Sequence, residues 1–350
     1  MSRAGQRGVA LITILIIVAL VALIATTMAS NVYLQMNRTG NQLDADQAQE
    51  YARGAEEFAI QILKKSFEKD GGDRVHLKQP WAVKGMAFPI DGGVLTGEIT
   101  DLKACFNLNS LLAAPAAGDG KNPAPPPQPG QGEDMGSIGQ ALNPGQKVFR
   151  SLIRQLSLDT ETSADNLMEA LTDWIDPDQN PFGPGGAEDV NYTGLAIPYR
   201  TADQPLASIT ELRAIQGFTP KVYDRLRPYV CVLPDVDSFA INVNTVPEDR
   251  PELLMMMFKD NTLTAGNARE FLQKRGDKGY DQAQIDSSSL LPPKEQRRVP
   301  NGLVAKSDYF QITARAVVGQ GEARLVSIVK KDGNTYRVLA RSFGEEEQNE

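Results

Sequence analysis

Residues 9–29 read VALITILIIVALVALIATTMA, a run of 21 residues that contains no charged side chain, no glycine and no proline. As one α-helix this run would be roughly 31 Å long at about 1.5 Å per residue, which matches the hydrocarbon core of a bilayer. A cleaved secretory signal peptide is the alternative, but its apolar core is typically about 7 to 15 residues and this run is longer. We therefore predict a transmembrane helix that stays in the mature chain.

The charges before this run predict its orientation. Arg3, Arg7 and the terminal amine all precede the apolar residues. Because cytoplasmic flanks carry an excess of basic residues, we expect a single-pass protein whose amino terminus is cytoplasmic. The bulk of the chain would then lie on the far side of the membrane.

Helical periodicity continues past the membrane. No proline interrupts residues 9–79. Apolar residues recur at steps of three and four, at Ala48, Tyr51, Ala55, Phe58 and Ile62. We predict one helix over residues 9–67, apolar all round in its first half and amphipathic in its second, where it would pack on a sheet. Two helices separated at residues 39–40 are the alternative, because Gly40 weakens a helix.

Strand patterns flank a long helical region. Residues 86–93 and 94–109 are extended pieces bounded by Gly or Asp, and residues 307–319, 323–331 and 335–343 alternate apolar and polar side chains. This alternation predicts an antiparallel meander with one buried face. A long helix, an antiparallel sheet and a helical insertion together indicate an α+β fold.

The region between the two sets of strands, residues 111–303, has mainly helical periodicity. It begins with the Pro- and Gly-rich stretch 115–137, which is typical of a surface loop and cannot form a core. Helical patterns follow at residues 146–156, 164–173, 209–216, 220–226, 251–258 and 265–274.

The composition limits the chemistry that the chain can perform. It has one histidine, His76, two cysteines and a formal charge of −8. A nucleophilic site would have to use His76, which lies in a polar stretch with no periodicity to orient it. A zinc site needs about four Cys or His ligands, and the chain has too few. We expect no catalytic activity, and an acidic chain also makes a nucleic-acid partner unfavourable.

One segment has the shape of a DNA-binding motif. Residues 209–230, ITELRAIQGFTPKVYDRLRPYV, have the shape of a helix-hairpin-helix, in which a Gly-x-Gly hairpin points backbone N–H groups at phosphate. Here Thr219 replaces the second glycine and Pro220 removes a donor. We interpret the segment as a protein-packing unit, and a membrane-tethered DNA-uptake protein is the alternative function.

An acidic, turn-rich segment, DWIDPDQNPFGPGGAEDVNY, occupies residues 173–192. Its oxygen-bearing side chains are Asp173, Asp176, Asp178, Asn180, Glu188, Asp189 and Asn191. Calcium takes about six to eight oxygen ligands at flexible angles, and so many like charges in one loop would repel each other without a cation. The pattern favours a structural Ca²⁺ site, although it departs from the EF-hand spacing. A solvated acidic loop is the alternative.

Both cysteines lie beyond the predicted membrane span. Cys105 and Cys231 each sit in an apolar extended piece, ACFNL and YVCVLP. Because thiols outside the cytoplasm tend to be oxidised, a disulfide between the sheet and the inserted region is expected. Two separate buried thiols are the alternative.

The amino terminus resembles a known leader. A short basic segment that ends in Gly8 and is followed at once by an apolar helix resembles the leader of the type IV pilin superfamily. That resemblance implies cleavage between Gly8 and Val9 by a prepilin peptidase, and methylation of the new amine on Val9. The fifth mature residue is glutamate in most pilins and is Thr13 here, a departure that the K-type minor pseudopilins of type II secretion systems share.

The rest of the chain resembles the same K-type family. The shared features are the leader and anchor, the block PIDGG…GEITDLKACFNLNSL, the DWID segment, INVNTVP and the large insertion. The resemblance implies a pilin-like fold with an inserted α-helical domain. Its expected units are a leader (1–8), a transmembrane helix (9–29), a helix extension with the first strands (30–110), the inserted domain (111–303) and the last strands of the sheet (304–350).

The resemblance also implies a function. K-type subunits are structural proteins of the inner membrane with a periplasmic body that holds calcium in the helical domain. They are expected to form the pseudopilus tip with I- and J-type minor pseudopilins, above the H-type and major pseudopilins, and to initiate assembly. The assembled pseudopilus is expected to support export of folded proteins across the outer membrane. The secreted substrates are further candidate partners.

Overall fold

The computed structural model describes residues 7–70, 74–113, 141–158 and 162–344. Residues 1–6 of the expected leader and the Pro- and Gly-rich stretch 115–137 lie outside the described residues.

One continuous helix, α1, runs over Arg7–Asp70. Within the described ranges it is the one helix long and apolar enough to cross a membrane, and its most apolar window is not buried by the rest of the chain. The alternative of two helices separated at residues 39–40 is wrong, because α1 passes through Gly40 without a break. The 3.6-residue pattern on both sides of Gly40 outweighs the roughly 1 kcal/mol that a helical glycine costs.

Nine strands follow in the described residues. They are β1 (Met86–Ile90), β2 (Gly93–Asp101), β3 (Phe106–Asn107), β4 (Val230–Cys231), β5 (Ile241–Asn242), β6 (Leu303–Val304), β7 (Tyr309–Val318), β8 (Gly321–Asp332) and β9 (Thr335–Phe343). Five form one antiparallel sheet in the order β1-β2-β7-β8-β9, which confirms the expected meander. The short pairs β3–β4 and β5–β6 are parallel.

The distal half of α1 packs on β7 and β8 of this sheet. Small side chains are buried together between the helix and the sheet, with Ala48 and Ala52 of α1 packed against Ala314 and Ala316 of β7. Larger ones fill the space farther from the membrane span, where the Phe67 ring lies 5.6 Å from that of Phe310. This packing fixes the direction of the sheet relative to α1. The β7–β8 turn lies near Asp44, because Gln320 N donates to Asp44 Oδ2 at 3.0 Å. The opposite end of the sheet is therefore the membrane-distal end, farther from the apolar span.

The helical region is inserted at that membrane-distal end, between β2 and β7, which pair with each other. Its helices are α2 (Pro144–Leu156), α3 (Ala164–Ile175), α4 (Asp189–Thr193), α5 (Pro220–Leu226), α6 (Glu252–Met255), α7 (Ala265–Gln273) and α8 (Gln282–Asp286). They share one apolar core that includes Phe149, Leu171, Leu253 and Phe271. The α+β class is therefore confirmed, with a second core beyond the sheet.

Two features differ from the helical patterns in the sequence. Residues 209–216 were expected as a helix, and the structure has a 3₁₀ helix over Ile209–Ala214. The pattern at residues 251–258 yields only the single turn α6, because the chain leaves the helix to pair Phe258 with Arg297. The short helices α4 and α8 lacked enough residues to show periodicity.

A buried carboxylate ties the sheet to the insertion. Asp101, the last residue of β2, is 3% exposed. Its Oδ2 accepts hydrogen bonds from Thr245 Oγ1 (2.5 Å), Ser307 Oγ (2.5 Å) and Asn242 Nδ2 (2.9 Å), and its Oδ1 accepts from Lys103 N (2.8 Å). Burial raises the pKa of Asp101, and these donors oppose that shift. Three separate segments, residues 101–103, residues 242–245 and the chain just before β7, therefore meet on one side chain.

A disulfide joins the same two regions. Cys105 and Cys231 are bonded, with a Cα–Cα distance of 5.7 Å, in the structure. The bond lies beside the parallel pair β3–β4, in which Asn107 is opposite Cys231. A covalent link over 126 residues restricts the unfolded chain and so stabilises the junction between sheet and insertion.

An ion pair fixes the exposed edge strand β9 to α1. Glu56 is 2% exposed on α1, and Arg341 on β9 donates to it through Nε (2.8 Å) and Nη2 (2.7 Å). Ser327 Oγ also donates to the Glu56 carboxylate. Burial alone would raise the pKa of Glu56, but hydrogen bonds from Arg341 and Ser327 and the charge of Arg341 outweigh it and lower the pKa.

We expect Arg341→Ala to lower the free energy of unfolding by about 2 kcal/mol at neutral pH, because it leaves a buried carboxylate with a single donor. A lowered pKa gives stability that is present above the ordinary value of 4.5 and is lost as the pH falls through the folded-state value. The difference between variant and parent should therefore shrink below about pH 4.5. Denaturant unfolding at pH 7 and pH 4 measures it, and an equal difference at both pH values would contradict the assignment.

Candidate functional site

The acidic segment begins on helix α3. Ser163 caps the helix, and Leu167, Met168 and Leu171 direct its apolar face into the core of the insertion. The same helix carries Asp173, which is fully buried at the start of the acidic segment.

The loop after α3 folds back over this carboxylate. Phe182 N donates to Asp173 Oδ1 at 2.8 Å, and Gly185 N donates to Glu169 Oε2 at 2.8 Å. The loop comes so close that a Cβ at Gly186 would lie 2.3 Å from Asp173 Oδ2. Glycine is therefore needed at this position because a carboxylate occupies the space of a side chain.

Four buried carboxylate oxygens in the site have no hydrogen-bond donor among the described residues. They are Asp173 Oδ2, Asp176 Oδ1 and both oxygens of Glu188. Buried polar groups nearly always have partners, and an unpaired buried charge is costly. These orphaned oxygens are what a bound cation would satisfy.

The same three carboxyl groups have raised pKa values. Burial raises the pKa of Asp173 to about 6, of Asp176 to about 7 and of Glu188 to about 7. Repulsion adds to the effect: the charges of Asp173, Asp178 and Asp203 raise the pKa of both Asp176 and Glu188. The ionised cluster is therefore unfavourable by itself, and a divalent cation would reverse that balance.

Asp203 is a member of this cluster that sequence reasoning missed. Its backbone is left-handed (φ 49°), which is uncommon for a residue other than glycine, and its Oδ1 accepts a hydrogen bond from Thr201 Oγ1 at 2.6 Å. It lies outside the acidic segment, in the polar turn TADQP, so neither spacing nor charge density marked it.

Three residues of the expected calcium set have other partners. Asp189 accepts from Thr201 N (3.0 Å) and forms an ion pair with Arg200 (3.4 Å). Asn191 Oδ1 accepts from Glu188 N at 3.2 Å, and Asn180 donates to Asp178 Oδ1 at 2.8 Å. These hydrogen bonds shape the loop. Asp178 and Asp203 also have partners, so the donorless oxygens favour Asp173, Asp176 and Glu188 as ligands, and the remaining expected ligands, Asp178, Asn180, Asp189 and Asn191, stay predictions.

The cluster is not a preformed ligand shell. No three Asp, Glu, His or Cys side chains in the described ranges stand in a ready metal-binding arrangement. The carboxylates are near enough to shift one another's pKa, and their side chains would have to rotate to converge on one ion. Oxygen-only ligands on a turn-rich loop suit Ca²⁺ better than zinc.

The processing site expected at Gly8 and Val9 lies at the start of α1. Both residues are helical, and Val9 is 67% exposed. Thr13, in the place of the usual glutamate, donates from Oγ1 to Val9 O at 2.5 Å. Its hydroxyl is therefore satisfied within the helix and brings no charge into the membrane span.

The helix-hairpin-helix segment packs against the core of the insertion. Leu212, Phe218, Val222 and Leu226 are buried. Gly217 has a positive φ of 88°, and Thr219 caps helix α5. The backbone N–H groups that follow the hairpin therefore belong to the first turn of α5. The segment has the features of a packing unit.

The chain is similar to known secretion proteins along nearly its full length. The model of a family described as type II secretion system (T2SS), protein K matches residues 104–235 and 241–290 in two parts. Relatives with that name are 34% identical in Pectobacterium carotovorum subsp. carotovorum, over 98% of each chain, and 35% identical in Aeromonas hydrophila, over 96% of each chain.

A solved structure has the same fold. A chain in the crystal structure of the GspK-GspI-GspJ complex from the type 2 secretion system of enterotoxigenic Escherichia coli is 30% identical, with a TM-score of 0.71 over 88% of this chain and 100% of that chain. This likeness confirms the pilin-like fold with a helical insertion. With family matches over more than half of its residues and relatives above 30% identity over nearly its full length, the chain belongs to the protein K family of type II secretion systems.

Proposed function

We propose that this chain is a minor pseudopilin at the tip of a type II secretion pseudopilus, where it joins I- and J-type minor pseudopilins, initiates assembly and supports export of folded proteins across the outer membrane. Its role is mechanical rather than catalytic. The observation that carries the proposal is α1, which runs unbroken from an exposed apolar span into the core of the sheet. One helix therefore both anchors the subunit and offers a surface to sister helices.

The position of the insertion supports the tip. The insertion leaves the sheet at Asp101 and returns at Tyr309, which lie at the membrane-distal end. A subunit stacked above this one would need the space that the second core fills. H-type and major pseudopilins would accordingly lie below it, and the insertion would form the apex.

The amino terminus supports insertion into the inner membrane with the leader in the cytoplasm, because Arg3 and Arg7 precede the span. A prepilin peptidase would cleave between Gly8 and Val9 and methylate Val9. The insertion and sheet would then be periplasmic, an oxidising compartment that suits the Cys105–Cys231 disulfide.

We also propose that the acidic cluster holds structural Ca²⁺. The ion would be bound by Asp173, Asp176 and Glu188, with Asp178 and Asp203 in support. Its charge would neutralise the carboxylate oxygens that lack hydrogen-bond donors. The ion would lie between α3, the glycine-rich loop and the turn at Asp203, and would hold these three parts of the insertion together.

Co-purification of the full chain tests the assembly role. Tagged full-length protein, extracted from membranes in mild detergent, should bring down two smaller pilin-like subunits of the I and J types. Arg341→Ala, which changes strand β9 and leaves the apolar span of α1 intact, serves as a control that should retain them. Recovery of the chain without these subunits would overturn the proposal. Recovery with duplex DNA, in binding that falls steeply with salt, would favour the DNA-uptake alternative.

A further inference from the structure

One loop of the insertion holds several apolar side chains in solvent. Ile197 is 81% exposed and Val190 is 77% exposed. Both are more exposed than Val9, which at 67% is the most exposed large apolar side chain of residues 9–29. Leu195, between them in the chain, is 45% exposed. Single apolar residues are normal on a protein surface, but several on one loop mark a contact site.

This apolar loop, residues 189–202, is closed at its base. Thr201 N donates to Asp189 Oδ1 at 3.0 Å, which joins the two ends of the loop. Arg200 forms an ion pair with the same carboxylate at 3.4 Å. The apolar side chains are therefore carried by a fixed loop, so that little conformational entropy is lost when they bind a partner.

Three aromatic rings support the apolar loop from the inside. The ring centroid of Tyr192 lies 5.2 Å from that of Tyr199 and 5.4 Å from that of Trp174 on α3. Tyr192 and Trp174 are buried, and Tyr199 donates from its hydroxyl to Ala214 O at 2.8 Å. The aromatic side chains of the loop therefore pack inward. Its aliphatic side chains are left in solvent, where they do not contribute to the core.

The surroundings of the apolar loop are acidic. Residues 173–203 carry six carboxylates and one basic side chain, that of Arg200. One bound Ca²⁺ would leave this surface negative. It repels the phosphate headgroups of a bilayer and a second copy of this acidic chain, and it attracts a protein surface with lysine or arginine at its border.

The apolar loop is too small to hold a permanent partner. A stable complex of standard size buries about 800 Å² on each partner, which corresponds to roughly 20–30 residues. The loop offers only Val190, Leu195 and Ile197 as exposed aliphatic anchors. Small interfaces are typical of transient contacts. A subunit that stays in the filament needs a larger surface, whereas a protein that is passed on has to be released.

We propose that the apolar loop is a transient docking site for the folded proteins that the system exports, and that Ile197 and Val190 insert into an apolar patch with a basic border on that cargo. The inference rests on the proposed function and names the place where the tip meets its cargo. Because the insertion lies at the membrane-distal end of the sheet, the loop stays accessible when sister helices pack along α1.

Photo-crosslinking in cells that contain the whole secretion system tests the proposal. The full-length chain carries Ile197→p-benzoylphenylalanine or Val190→p-benzoylphenylalanine. The matched control is Val83→p-benzoylphenylalanine, since Val83 is 51% exposed and lies outside the insertion. Mass spectrometry should identify the adducts at positions 190 and 197 as a protein whose release into the medium requires the system. The crosslinked peptide should lie in an apolar surface next to lysine or arginine, and position 83 should give no such adduct.

A charge placed in the apolar loop tests the same contact without a crosslinker at its centre. Ile197→Glu should reduce the cargo adduct at position 190 by about tenfold, because a carboxylate would be buried in an apolar patch. Val83→Glu is the control and should leave that adduct unchanged. Both variants should still co-purify with the two smaller pilin-like subunits.

The alternative outcomes separate the docking site from the proposed function. The docking site is overturned if the two subunits co-purify with the unmodified chain but positions 190 and 197 crosslink to the outer-membrane channel, to a pilin-like subunit, to lipid, to a second copy or to nothing. Equal cargo adducts at position 83, an acidic border on the cargo, or loss of the two subunits in Ile197→Glu overturn it too. If no pilin-like subunit co-purifies with the unmodified chain, the proposed function fails and this inference fails with it.

Discussion

Chelation of calcium is expected to lower the melting temperature of the full chain by about 10 °C. A site that is saturated several hundredfold above its dissociation constant stabilises the folded state by roughly 3–4 kcal/mol, and each kcal/mol shifts the melting temperature of a unit of this size by about 2–4 °C. The physical cause is the set of four buried oxygens of Asp173, Asp176 and Glu188 that have no donor. Differential scanning fluorimetry with EDTA, followed by excess Ca²⁺, measures the shift and its reversal.

Matched variants identify the ligands. The double variant Asp173→Asn with Glu188→Gln removes two repelling charges, and its melting temperature should no longer respond to EDTA. Asp189→Asn should respond like the parent, because Asp189 is bonded to Thr201 rather than to the cluster. An unchanged melting curve of the parent in EDTA, or a loss of the response in Asp189→Asn alone, would contradict the site.

Asp101→Ala is expected to lower the free energy of unfolding by about 3–5 kcal/mol, because it leaves several buried donors without an acceptor. The affected donors are the side chains of Asn242, Thr245 and Ser307, which all point at one oxygen. They belong to two segments that hold the insertion on the sheet, residues 242–245 and the residue Ser307, so the loss should also make the junction more sensitive to protease. Denaturant unfolding with limited proteolysis measures both effects.

Asp237→Ala provides the control for this variant. Asp237 is an exposed aspartate near the same junction and should change stability by less than about 0.5 kcal/mol. Asp101→Asn should be intermediate, because it keeps one acceptor but places an amide N–H₂ beside Lys103 N. A loss below about 1 kcal/mol for Asp101→Ala would show that the junction does not depend on this carboxylate.

The sequence was most informative where a pattern repeats. The period of α1 and the alternation in β7, β8 and β9 give the long helix and the meander, because burial of one face requires these repeats. The continuity of α1 through Gly40 could not be decided from propensity alone. The one-turn helices α4 and α6 are shorter than any period that the sequence can display.

The paired asparagines illustrate what local patterns miss. FNLN and INVN look like turn residues, yet Asn109 is fully buried and binds Leu206 O (3.0 Å) and Leu233 O (2.9 Å), nearly a hundred residues or more along the chain. Asn244 likewise exchanges hydrogen bonds with the backbone of Tyr280. Such partners are set by tertiary packing, and the sequence marks only the amide.

The acidic site shows the same limit. Charge density singled out the loop and the three residues that carry donorless oxygens, Asp173, Asp176 and Glu188. It could not separate them from Asp189 and Asn191, whose hydrogen bonds shape the loop. Asp203 came from a distant turn, so its membership depends on the fold.

The N-terminal residue of the mature, membrane-bound chain tests most directly whether this protein is an anchored pseudopilin. Intact-mass and peptide analysis of the protein purified from membranes should give a chain that begins at Val9 with a methylated amine and keeps the whole apolar run. A mature chain that begins near residue 30 would contradict this, since α1 would have lost its anchor and the protein would diffuse freely outside the cytoplasm.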